Sequence, residues 1–210
     1  VLGMLAISSE SIVDGYFIGN YVGDLGLAAI NISLPIFSLL FGLSLMLAIG
    51  GSVTSGKLIG EKDIKNASLI FTKTVICIIG FSFITCFLLF INIETILYLL
   101  GSTDDLIKIS MEYMSILLIF LPFLMIGIVL DYFVRVDNRP NLAFIALLSS
   151  AVVHVLLDWI LIVHLEKGIF GAALATGISE LVLIIILLPH FFSEKGSLKF
   201  VKPIGNFIQI

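Results

Sequence analysis

The chain has 210 residues, of which 60% are hydrophobic and only 12% charged, with a net charge of -4 and a mean hydropathy of +1.21. Charged residues are about half as frequent as in a soluble domain, and a core of this size cannot absorb so much apolar surface. That excludes a soluble enzyme and a disordered segment, and the lack of a basic surface excludes a nucleic-acid binder.

A helix crossing a bilayer needs about 20 mostly apolar residues. Six stretches qualify: 1–20, 29–51, 67–91, 113–133, 141–163 and 168–192. The apolar runs are continuous rather than alternating, which argues against a β-barrel. The chain opens on Val1, already inside an apolar run and without a basic leader. The first helix is therefore expected to be cut short. Pro35 and Pro122 fall inside the second and fourth spans, where each removes a backbone donor and favours a kink. Gly50, Gly51 and Gly60 read as the exit of the second span. Cys77 and Cys86, nine residues apart, fall on opposite faces of the third helix and read as two buried small hydrophobes. Gly171, Ala172, Ala173 and Ala175 offer the sixth span a small-residue packing face. His164 and His190 fall at span ends and read as ordinary interfacial residues.

The connectors set the orientation. Lys57, Lys62, Lys65, Arg135, Arg139, Lys195, Lys199 and Lys202 lie on one set of loops, against Lys108 and Lys167 on the other. By the positive-inside rule both chain ends face the cytoplasm of a multi-pass cell-membrane protein. Residues 193–210 read as a basic cytoplasmic linker.

An ionisable group inside the bilayer is costly, about 2.5–3.5 kcal/mol for an Asp at the helix centre, and so marks function by default. Glu10 and Asp14 lie in the first span, His154 and Asp158 in the fifth, Thr176 and Glu180 in the sixth. Each pair is spaced i, i+4 and shares one helix face. Counted from the outer ends, all six fall roughly 8–18 Å deep. Their shared level points to one hydrated pocket between spans one, five and six. The chemistry such a pocket supports is proton or cation exchange. A carboxylate withdrawn from water takes up a proton or Na⁺ and gives it back when the cavity opens, so Asp14 and Asp158 are candidate ligands of Na⁺. His154 can join a proton relay. No GxGD, HExxH or Ser-His-Asp pattern suggests an enzyme, and no cofactor beyond the exchanged H⁺ or Na⁺ is expected.

An ordered set of strings resembles the multidrug and toxin extrusion (MATE) transporters. The set begins with Ile12-Val13-Asp14-Gly15-Tyr16-Phe17-Ile18-Gly19, Val22-Gly23, Leu27-Ala28-Ala29 and Pro35. It continues with Gly60-Glu61-Lys62-Asp63 and Ala67, Arg135-Val136-Asp137-Asn138-Arg139-Pro140, Leu157-Asp158, and Gly168-Ile169-Phe170-Gly171-Ala172-Ala173-Leu174-Ala175-Thr176. The resemblance implies an all-α polytopic fold in which residues 1–192 form the N-terminal six-helix lobe of a twelve-helix transporter. Residues 193–210 would then lead to a second six-helix lobe. It implies export of organic cations or other amphipathic drugs in exchange for H⁺ or Na⁺. The family's coupling-site Asp, Asp and Thr correspond to Asp14, Asp158 and Thr176. The family often has Asn where this chain has His154, a departure that favours the proton, and Glu10 adds a further acid. Two alternatives stand beside this reading: a flippase for lipid-linked oligosaccharide or polysaccharide, and an inactive half-transporter.

Overall fold

The computed structural model describes residues 2–202, with side chains from Ile12 onward. Among the described residues there are seven α-helices and no strand. They are α1 (Leu2–Tyr21), α2 (Asp24–Gly60), α3 (Ile64–Ile91), α4 (Ile93–Leu99), α5 (Ile107–Val136), α6 (Pro140–Asp158) and α7 (Gly168–Leu187). A π-helical turn, Trp159–His164, extends α6, and a 3₁₀ turn, Leu188–Phe192, extends α7.

Helices α2, α3, α5, α6 and α7 are each long and apolar enough to cross a membrane, and the chain is a multi-pass membrane protein. The bundle is built around α5, which packs against α2, α3 and α7 and buries Met114, Leu121, Met125, Leu130 and Phe133. Large apolar side chains also cover the outside, among them Leu39, Met46, Phe83, Phe87 and Ile185. Such a surface is at home against acyl chains and not against water. Cys77 belongs to this outer surface, which corrects the expectation that both thiols are buried; Cys86 is.

The second span differs most from its sequence reading. Helix α2 continues through Gly50, Gly51 and Ser52 for 37 residues in all, about 55 Å of rise. The expected connector 52–66 shrinks to a turn around Lys62, which adopts φ 62°. Of the glycines read as an exit, Gly60 does end α2, Gly50 faces open space, and Gly51 lies in a packing face instead. A Cβ on Gly51 would collide with Thr74 on α3 and Phe133 on α5, and one on Gly56 with Val136. Ser55 donates to the Ala67 carbonyl at 2.9 Å, tying α2 to α3. A short helix, α4, occupies part of the connector between the third and fourth spans and buries Leu97.

At the end of the bundle that carries the basic turns, residues 193–201 are held against the helices. Asp137, 5% exposed, accepts hydrogen bonds from His190 Nε2 (2.7 Å) and from the backbone amides of Ser197 (2.9 Å) and Leu198 (3.2 Å). The amides of Lys199 and Val201 donate to Ser68 and Thr72 on α3. Phe200 packs its ring on Phe71, Phe191 and Phe192. His190 is thus a buried partner of Asp137, correcting its reading as an ordinary interfacial residue. Removing the acceptor with Asp137→Ala strands three donors and is expected to cost about 3 kcal/mol locally. Trypsin cleavage after Lys195 and Lys199 in purified protein should then accelerate roughly 100-fold; an unchanged rate would mean the carboxylate does not hold the strap.

Candidate functional site

Three helices bring polar groups together inside the bundle. Asp14 comes from α1, His154 and Asp158 from consecutive turns of α6, and Thr176 from α7. His154 is 2% exposed and Asp158 fully buried. The imidazole Nε2 lies 3.4 Å from Asp14 Oδ1 and 3.3 Å from Thr176 Oγ1. Its Nδ1 lies 3.9 Å from Asp158 Oδ2. One ligating atom from each of Asp14, His154 and Asp158 falls within 4.8 Å of the others.

The hydrogen bonds favour one tautomer. Thr176 spends its single hydroxyl proton on the Ala172 carbonyl at 3.1 Å. With that proton spent it accepts from His154, and the tautomer assigned on this ground carries its proton on Nε2 and presents a lone pair at Nδ1. That lone pair faces a carboxyl oxygen of Asp158, and the carboxyl groups of Asp14 and Asp158 are close enough to act on one another. Bare lone pairs and like charges at this range repel. The arrangement calls for a proton or a cation among the three groups.

Local structure holds the cluster in place. Ser150 on α6 donates to the Ser179 carbonyl of α7 at 2.8 Å, and Ser179 donates back to the carbonyl of Thr176. Gly177 lets α7 sit directly on Phe120 of α5. Asp158 is the last α-helical residue of α6; the chain then widens into the π turn. Such turns recur at functional sites because the extra residue re-aims the helix around it. A cleft of about 430 Å³, lined by Tyr21, Ile162, Val163, Glu166 and Gly168, opens where α1 ends and α7 begins. Ile162 is one turn beyond Asp158, so the cleft lies roughly 6–10 Å from the cluster along the helices.

Four of the six residues singled out from sequence meet here. Glu180 is half-buried one turn further along α7, where its carboxyl lies against Gly127 of α5, and it is not one of the clustered ligands. The side chain of Glu10 lies outside the described residues. Sequence reasoning missed Tyr113 on α5, 7% exposed and within electrostatic reach of Asp14 and Asp158. It stands beside Glu112 at a span boundary, and only the tertiary packing shows which way it faces.

Comparison with known proteins gives a consistent picture. The MatE family model matches residues 1–160. The chain is 29% identical over 208 residues to the multidrug export protein MepA of Staphylococcus saprophyticus, covering 97% of this chain and 46% of that protein. MepA of Staphylococcus aureus is 25% identical over 207 residues, with the same coverage. The chain thus spans less than half the length of these relatives. Among solved structures, an outward-facing multidrug resistance MATE family transporter of the MOP superfamily superposes with a TM-score of 0.89 at 22% identity. That match covers 95% of this chain and 44% of the other. A MATE structure in a bent conformation gives 0.88, over 95% and 45%.

Proposed function

The chain belongs to the MatE family, and from that premise we propose that it forms the N-terminal lobe of a proton-coupled exporter of organic cations. Multidrug export is what the names of its relatives describe. The observation that carries the coupling assignment is the convergence of Asp14, His154, Asp158 and Thr176 from three helices at one buried point. Asp14 and Asp158 hold the exchanged charge. His154, with Nε2–H directed to Thr176 and Asp14 and a bare Nδ1 directed to Asp158, links the two acids and passes the proton between them. Nitrogen is a poor ligand for a hard alkali cation, which favours H⁺ over Na⁺. The cleft bounded by Tyr21 and Glu166 serves as the outer approach. Lys57, Lys62, Lys65, Arg135 and Arg139 cluster at the opposite end of the bundle, which supports a cytoplasmic location for that end and for both chain ends. A second six-helix lobe completes the substrate chamber, since alternating access rocks one body against another.

The test is transport by the complete protein in proteoliposomes. An imposed pH gradient is expected to drive uptake or release of a fluorescent organic cation, whereas a Na⁺ gradient at equal pH drives none. Movement of lipid-linked sugar without movement of the dye would replace this reading with the flippase, and transport on a Na⁺ gradient alone would reverse the ion assignment.

A further inference from the structure

We propose that the Asp14–His154–Asp158 cluster binds one divalent transition-metal ion of the Zn²⁺ class, occupying the place of two protons. The binding claim stands on the geometry; its consequence for transport rests on the coupling role proposed above.

Charge is the first argument. Two carboxylates with a neutral imidazole carry two negative charges, and a buried site tolerates a cation only when the charges cancel. A divalent ion or two protons achieves this, whereas one Na⁺ leaves a charge over. Ligand chemistry is the second. His154 Nδ1 is buried, has no hydrogen-bond partner among the described residues and has its lone pair turned to Asp158. An imidazole nitrogen with two carboxylates is a donor set that suits Zn²⁺, Co²⁺, Fe²⁺ or Ni²⁺ and not an alkali ion. The other ring nitrogen donates toward Thr176 and Asp14, the arrangement that fixes the orientation of metal-bound histidines.

Distance is the third argument. Bonds of about 2.0–2.2 Å place neighbouring ligand atoms roughly 3–4 Å apart. The 3.9 Å between Nδ1 and Asp158 Oδ2, and the outer bound of 4.8 Å on the three ligand atoms, need a contraction of about 1 Å or less. Thr176 Oγ1 stays on Nε2, 3.3 Å away, and water completes the coordination. Binding displaces whatever protons the acids hold, so the ion and the protons compete for one site.

The experiment uses the complete purified protein, with no gradient and no drug. Zn²⁺ titrated calorimetrically in two buffers of different ionisation enthalpy should bind at one equivalent per chain and release protons. Co²⁺ should give visible ligand-field bands that Zn²⁺ bleaches. Zinc-edge X-ray absorption on the unmodified protein should show one imidazole and otherwise oxygen ligands. His154→Asn should weaken Zn²⁺ at least roughly 100-fold, while His164→Gln, at the exposed end of the π turn, should bind as the parent does. No saturable binding, an oxygen-only or multi-histidine zinc environment, or equal loss in His164→Gln would each overturn the proposal. The X-ray result needs no variant and so survives a folding failure of His154→Asn. Absence of metal binding leaves the transport result untouched, and absence of transport leaves the binding result untouched.

Discussion

Asp158→Asn in the complete transporter is expected to reduce pH-driven dye export by at least the roughly 5–150-fold that a coupling free energy of about 1–3 kcal/mol represents. Asparagine keeps the shape of the side chain and most of its hydrogen bonding, but it cannot take up and release a proton. Asp158 is fully buried and shares the imidazole of His154 with Asp14, so no neighbouring solvent-exposed acid can replace it. Asp14→Asn should act in the same direction. Asp24→Asn, in an exposed acid at the start of α2, should leave export unchanged. The readout is dye fluorescence in everted vesicles at matched expression. Wild-type rates in both Asp14→Asn and Asp158→Asn would remove the cluster from the transport cycle.

Gly177→Ala carries the second large effect, and it acts through packing. A Cβ at this position would overlap Cβ, Cγ and Cδ2 of Phe120, the base of that side chain and not its mobile tip. Phe120 cannot swing aside, so α7 must lift from α5. Overpacking of this kind costs typically about 1–3 kcal/mol. The neighbouring residue is Thr176, so the lift also carries its hydroxyl away from His154 and should lower export together with thermal stability. Phe120→Ala in the same chain removes the overlapping Cγ and Cδ2 and should recover part of both losses, as residues in contact do in a double-mutant cycle. Gly80→Ala on α3 supplies the contrast: its Cβ would meet nothing within 4 Å, and helix propensity makes it neutral or slightly stabilising. Equal melting points for Gly177→Ala and Gly80→Ala would show that the α5–α7 contact yields readily.

Five of the six spans and the level of four polar residues were legible in the chain because both follow from local arithmetic. Twenty apolar residues make a crossing, and a spacing of four shares a face. That places Asp14, His154, Asp158 and Thr176 at one level, and the packing of α1, α6 and α7 brings them within hydrogen-bonding or ion-pairing range. What was not legible depends on partners distant in sequence. Gly51 reads as a helix breaker until Thr74 and Phe133 occupy the space its missing side chain leaves. Glu180 has the spacing of a site residue but sits a turn away, against Gly127. Tyr113 shows no periodic signal, and the π turn after Asp158 is written in no motif, since five apolar residues and a histidine suit an α-helix equally well. His190 and Asp137 lie 53 positions apart, and nothing local announces their bond.

The bound strap changes how much slack the chain has. Nine free residues between 193 and 201 could extend by up to about 30 Å. Pinned to Asp137, Ser68 and Thr72, they contribute none of that length. Any movement of this bundle carries them along as cargo. Cutting the Asp137 anchor would pay out that leash without touching Asp14, His154, Asp158 or Thr176.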